Sequence, residues 1–174
     1  IDTGEGIDTV VYKLPASKIT KISDGWFVNG NLLKNVERVE FTDKIVALDI
    51  DGISGKGYRI YQAAFARTPD NEGLKYWINT MDSGHSLEAV AGGFIASEEF
   101  KTLYGDNPSN EAFVTKLYNN VLGRAPEQGG FDYWVGLLDD QKISKVSTLI
   151  NFSESDENQL NVIGVIENGI DLFI

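Results

Sequence analysis

Apolar residues follow two different rhythms along this chain. Over roughly the first fifty residues they come as short β-branched and aromatic runs, at 9–14, 18–23, 25–28, 36–42 and 44–48. These are broken by turn chemistry at Asp24-Gly25, Asn29-Gly30-Asn31 and Thr42-Asp43, a spacing that predicts a small strand-rich module. Beyond Gly57 the period lengthens to that of an amphipathic helix. Tyr58, Tyr61 and Phe65 mark one helix and Leu74, Trp77, Ile78 and Met81 a second, while Leu87, Val90, Ala91, Phe94 and Ile95 mark a third. The same three helices return as Val114, Leu117, Tyr118, Val121 and Leu122, then Phe131, Trp134, Val135 and Leu138, then Val146, Leu149 and Ile150.

The return is an internal repeat. Tyr61 and Tyr118, Arg67 and Arg124, Pro69 and Pro126, Gly73 and Gly130, Tyr76 and Tyr133, Trp77 and Trp134, and Asp82 and Asp139 are each 57 residues apart. The register slips by one in the third helix, so that Ser97 and Ser155, both read as N-caps followed by acidic residues, align at 58. Each first helix stops at an Arg-x-Pro step, because proline disfavours helical geometry in the residue before it. The expected fold is therefore α+β: a β module over 1–52, then a helical domain over 53–174 built from repeats at about 53–105 and 109–163.

Within the repeats, Arg67 and Arg124 are expected to be structural, binding helix-end carbonyls and a carboxylate, with Asp82 and Asp139 as the repeated partners. Trp77 and Trp134 fall on the apolar stripes and read as core. Tyr76 and Tyr133 lie beside those stripes and are the candidate wall of a sugar or peptide groove.

These residues carry a resemblance. The pattern Y-x-x-x-(F/L)-x-R-x-P-x-x-x-G-(L/F)-x-Y-W, followed by a further helix and S-x-E, resembles a bacterial helical-repeat family known as a domain of unknown function. That family occurs in hemolysin-type, S-layer and adhesin-like secreted proteins, and its helical unit is similar to that of phycobilisome linkers. The likeness covers about 53–163, in both repeats. It implies a bacterial extracellular or cell-surface setting and brings no catalytic residues with it.

The lead-in adds a second resemblance. Gly4-Glu5-Gly6-Ile7-Asp8-Thr9-Val10 fits G-x-G-x-D-x-U, in which glycines shape a turn, aspartate and turn carbonyls face calcium, and the large apolar residue points inward. Together with the run VERVEFTDKIVALDIDG, it resembles the end of a hemolysin-type (RTX) calcium-binding array. Gly4, Gly6 and Asp8 are thus candidate calcium residues. Asp49 and Asp51, alternate residues on an extended strand, are two more; the competing reading has Asp51 capping the first helix or opening the Asp51-Gly52 turn. The tail at 169–174, an acidic residue followed by apolar ones, resembles the C-terminal signature of proteins exported by type I secretion machinery; the competing reading is a final strand or an arbitrary chain end. With Ile1 first and no leader pattern before the folded segment, the chain is expected to be a piece of a longer protein.

Charge narrows the partners. With 26 acidic against 15 basic side chains, a net charge of -11, the protein repels phosphate backbones and attracts cations, so nucleic acid is not an expected partner. No apolar run is long enough for a membrane span. There is no cysteine for disulfides or thiolate chemistry, and His85 is the single histidine, in a turn without a nucleophile elbow around any serine. Glu98 and Glu99 are adjacent on a helix and point about 100° apart, so they do not flank one bond. The chain is not expected to be an enzyme. The expected function is a calcium-associated C-terminal module of a secreted or surface protein, serving export, folding or anchoring. The alternative is an adhesin-type module that binds a glycan or protein through its repeats.

Overall fold

The computed structural model describes residues 1–173; Ile174, the last residue of the expected export signature, lies outside them. Six strands come first: β1 (Thr9–Val11), β2 (Ile19–Ile22), β3 (Gly25–Val28), β4 (Asn31–Leu33), β5 (Arg38–Glu40) and β6 (Lys44–Ala47). Eight helices follow. They are α1 (Ile53–Phe65), α2 (Asn71–Asp82), α3 (Leu87–Ala96), α4 (Glu98–Tyr104), α5 (Asn110–Val121), α6 (Gln128–Asp139), α7 (Lys145–Ser153) and α8 (Asp156–Ile166). A last strand, β7 (Ile170–Phe173), ends the described chain. This is the α+β order that the hydrophobic pattern implies, with four helices per repeat. The pattern omits β4. Asn29 and Gly30 both adopt positive φ, 47° and 79°, which is the twist-matched two-residue hairpin, so the chain turns straight back as a strand.

The chain forms two compact units, and their limits do not follow the expected division at 52/53. The first contains Ile1–Gly57, Asp70–Ser83 and the residues from Ile163 onward; the second contains Tyr58–Pro69 and Gly84–Val162. The physical reason lies in α2. Its buried face, Leu74, Ile78 and Met81, belongs to the first unit, where α2 packs on β7. Gly57 sits where a Cβ would crowd Met81 and Ile78. A helix that the repeat assigns to the helical domain is thus built into the β unit.

In the first unit one sheet runs β1-β5-β6-β7 and another β2-β3-β4. β1 lies parallel to β5, with Thr9 opposite Arg38, while the other pairings are antiparallel. Both faces around β5 are covered: Val36, Arg38, Val39 and Phe41 are all buried, which is why apolar residues there do not alternate strictly. Lys44 anchors β7 through Asp171, at 2.8 Å.

In the second unit α3 packs on α7, so equivalent helices of the two repeats meet, and α5 packs on α6 and α7. Phe100 and Tyr104 stack with ring centroids 4.1 Å apart beside Phe113. The Tyr104 hydroxyl donates to the Ala63 carbonyl at 3.1 Å, and burial pushes its phenol up to about 12. Ser86, Ser97, Ser109, Ser144 and Ser155 each accept a backbone N–H in the first turn of the following helix; such caps contribute about 1 kcal/mol apiece.

The exits of α1 and α5 expose one flaw in the first repeat. Gly123 takes the left-handed conformation at φ 68°, and its counterpart Ala66 takes it at φ 52°. A β-carbon makes that geometry cost about 1–2 kcal/mol. Ala66→Gly is therefore expected to raise stability by about 1 kcal/mol, read as a higher midpoint in urea.

Candidate functional site: the arginine clamps of the repeats

The strongest repeated chemistry is an arginine held on three sides. In the first repeat Arg67 donates from Nε and Nη2 to the two oxygens of Glu99, at 2.7 and 3.2 Å. Its Nη2 also donates to the Tyr61 hydroxyl at 3.0 Å, and its guanidinium lies 5.1 Å from the Tyr61 ring centroid. In the second repeat Arg124 reaches Glu157 in the same fork, at 2.6 and 2.8 Å, and lies 5.0 Å from the Tyr118 ring centroid. The geometry follows from the sequence. Proline two residues after each arginine ends the helix and turns the chain, while Ser-x-Glu places a carboxylate in the first turn of α4 and α8, where the helix dipole favours a negative charge. Glu99 and its hydrogen bond hold Arg67 above the usual arginine range; Glu157, then Glu127, do the same for Arg124.

This corrects the expected pairs. The carboxylates forked by Arg67 and Arg124 are Glu99 and Glu157, 58 residues apart. Asp82 instead takes Arg38 of β5, and Asp139 accepts from Asn110 at 2.7 Å. The aspartates stand at the C-terminal ends of α2 and α6, where the helix dipole disfavours a carboxylate, whereas each glutamate stands at a helix start.

The second clamp has an added member. Glu127 receives Arg124 Nη1 and the Tyr118 hydroxyl. The equivalent Asp70 in the first repeat caps α2 by accepting from Gly73 N at 2.8 Å. A Cβ at Gly130 would collide with Glu127 Oε1 and the Tyr118 hydroxyl, which accounts for glycine at 130.

Arg124 holds the carboxyls of both Glu127 and Glu157 below the ordinary glutamate value. A carboxyl depressed in the folded state stabilises fully above its unfolded value of about 4.3 and loses that contribution as pH falls through the folded value. The melting-temperature gap between the wild type and Arg124→Met is thus expected to be widest near pH 7 and to close as pH falls below about 4.

The remaining predicted residues separate. Tyr76 and Tyr133 are 62% and 60% exposed, each edge-on to its neighbouring tryptophan, Trp77 or Trp134, at 5.0 and 5.2 Å. Trp77 and Trp134 are half-buried. His85 stands in the exposed turn between α2 and α3.

Asp49 and Asp51 do not share a strand face. β6 ends at Ala47, and the chain turns through Ile50 and Asp51. Asp49 accepts from Arg38 Nη1 at 2.6 Å and from Ser54 N at 3.0 Å, so it, rather than Asp51, secures the start of α1. Asp51 pairs with Lys21 at 2.9 Å. Both carboxylates are paired with cations of the protein, Asp49 with Arg38 and Asp51 with Lys21. Among the described residues no group of three or more His, Cys, Asp or Glu is placed to hold a metal ion. Asp8 differs: Gly4 and Gly6 before it have φ of 92° and 124°, and its Oδ2 is buried with no hydrogen-bond partner.

Two charged groups escaped the sequence reading. Arg38 breaks an apolar run yet is buried, and Arg59 of α1 forms a buried fork with Glu154, at 2.9 and 2.6 Å. No repeat signal marked Arg59, because its counterpart is Lys116 and the counterpart of Glu154 is Ala96.

Beside the second clamp lies a cavity of about 170 Å³, walled by Tyr118, Leu122, Arg124, Trp134, Asn151 and Glu157 among others. No helix among the described residues is long and apolar enough to cross a membrane.

No curated protein and no solved structure matches the chain. One family does, and it does so twice: residues 58–103 and 91–162 both fit the domain of unknown function DUF4214, the tandem match running over the two arginine clamps. With more than half of its length accounted for in this way, the chain belongs to the DUF4214 family.

Proposed function

We propose that this chain is a non-enzymatic module of a larger secreted or cell-surface bacterial protein, closing a hemolysin-type calcium-binding array and serving export, folding or anchoring. The observation that carries this reading is β1. It is an edge strand in parallel register, entered through two positive-φ glycines and an aspartate with an unpartnered buried oxygen. Those are the parts of one turn of a parallel β-helix array. Calcium bound at Asp8 and the neighbouring turn carbonyls would neutralise that carboxylate and stiffen the turn. The repeated arginines support a structural rather than catalytic role for the clamps, since each is spent on a glutamate and a tyrosine ring.

Calorimetric titration and thermal unfolding with calcium chloride test the calcium part. The expected result is heat and a rise in melting temperature saturating at about 0.1–1 mM, both lost in Asp8→Ala. No heat and no rise would sink it. Export is tested separately, by fusing the chain to a reporter in a host with type I secretion machinery; equal export without the chain overturns that part.

A second reading, an adhesin-type module, is favoured by the matched exposure of Tyr76 and Tyr133. Glycan-array binding that falls on mutation of either tyrosine is its expected signature.

A further inference from the structure

We propose that the cavity beside the second clamp binds a single neutral sugar ring. This rests on the second reading above, that the helical repeats bind a ligand, and moves the contact from the exposed tyrosines into the cavity.

The two repeats differ at the positions that matter here. In the first, Phe65 lies against Tyr61 and Phe94, with ring centroids 5.0 and 4.9 Å away. Its counterpart 57 residues on is Leu122, a smaller side chain, and Leu122 lines the cavity. The opening therefore accompanies a departure from the repeat's own aromatic filling. Its volume of about 170 Å³ is well below the roughly 300 Å³ at which pockets for larger ligands begin, so it suits one ring.

The walls select the chemistry. Trp134 is half-buried, and its indole N–H has no acceptor among the described residues. Asn151 is exposed and donates to the Ser147 carbonyl at 2.7 Å, which leaves its own carbonyl oxygen available. Glu157 stays ionised, because Arg124 holds its carboxyl low, and keeps lone pairs beyond the two that Arg124 takes. Two carboxylates face one guanidinium here, so an anion is disfavoured. An apolar ring would leave the amide and carboxylate without partners once desolvated. A pyranose offers an apolar face to the indole and hydroxyl donors to Asn151 and Glu157, and satisfies both.

The test is nuclear magnetic resonance titration of the whole chain, following the Trp134 indole signal assigned through Trp134→Phe. The probes are glucose, galactose, mannose and N-acetylglucosamine, with glucuronate and cyclohexanol as controls. At least one neutral sugar is expected to give a saturable shift with a dissociation constant of about 1–10 mM, the range open to a ring of about a dozen heavy atoms. The controls should bind at least about tenfold more weakly. Leu122→Phe, which restores the residue of the first repeat, should abolish the shift, and the surface change Asn151→Ala should weaken it at least about fivefold without altering the melting temperature. If Leu122→Phe does not fold, Asn151→Ala decides.

Absence of a saturable shift from all four sugars up to about 100 mM overturns the proposal. So does a shift that survives both variants. In that last case, a signal following Tyr133 instead would leave the second reading standing while the cavity assignment fails.

Discussion

Replacing Arg38 by alanine is expected to destabilise the first unit by about 3–5 kcal/mol, enough to unfold a marginal domain. The side chain is 8% exposed and stands between Asp49 and Asp82, whose side chains are 13% and 21% exposed. Nη1 reaches Asp49 at 2.6 Å and the Glu37 carbonyl at 2.9 Å, while Nη2 reaches both oxygens of Asp82, at 3.0 and 2.8 Å. Removing the guanidinium strands two half-buried carboxylates in one neighbourhood. The loss comes chiefly from those uncompensated charges rather than from the attraction itself.

The pH dependence separates this account from simple loss of packing. Burial already pushes the Asp82 carboxyl above its ordinary value, against the pull of Arg38, and Asp49 adds to the push. A carboxyl raised in the folded state costs stability above its folded value, and the cost disappears as pH falls below the unfolded value of about 3.9. Without Arg38 that rise is larger, so the variant's deficit should be greatest near pH 7 and smaller near pH 4. Urea unfolding at both values checks it. A deficit that is the same at both would point to packing alone. The triple variant Arg38→Met, Asp49→Asn, Asp82→Leu should recover more than about half of the loss, because no unpaired charge remains.

Arg59→Ala is expected to cost the second unit about 3 kcal/mol. The Arg59 side chain is 5% exposed and its Glu154 partner 20%, and the fork ties α1 of the first repeat to the end of α7 in the second. Glu154 also accepts from the Ser153 hydroxyl at 3.1 Å, which orients it for the fork. Arg59→Lys should recover less than half of the loss, since one ammonium does not reproduce two parallel bonds, although lysine is the native residue at the equivalent position 116. Thermal unfolding of the three proteins decides it. A lysine variant as stable as the wild type would show that charge alone suffices.

Much of this architecture was legible in advance. The helices appeared where the apolar stripes placed them, because residues spaced three and four apart must share one buried face. The offset of 57, shifting to 58, also contained the clamps: it paired Tyr61 with Tyr118 and Arg67 with Arg124, and Ser97 and Ser155 each introduced a glutamate two residues on. The misreading was one of partner choice. Asp82 and Asp139 matched at the dominant offset, yet each ends its helix, and only the path of the chain brought Glu99 and Glu157 under the guanidinium groups.

The sequence by itself determined the α+β order, the twin helical repeats, the serine caps at 97 and 155 and the aromatic and arginine positions of the clamps. All of these rest on local periodicity or local turn chemistry. Only the tertiary structure decided that α2 joins the β unit, that Arg38 is buried between two aspartates, that Arg59 meets Glu154, and that a cavity opens beside Leu122 but Phe65 packs against its aromatic neighbours. The ion pairs among them join residues as far as 44 and 95 positions apart. A charge such as Arg38 looks the same in the sequence whether it is solvated or enclosed, because the cost of burying it and the carboxylates that offset that cost are set by what folds around it.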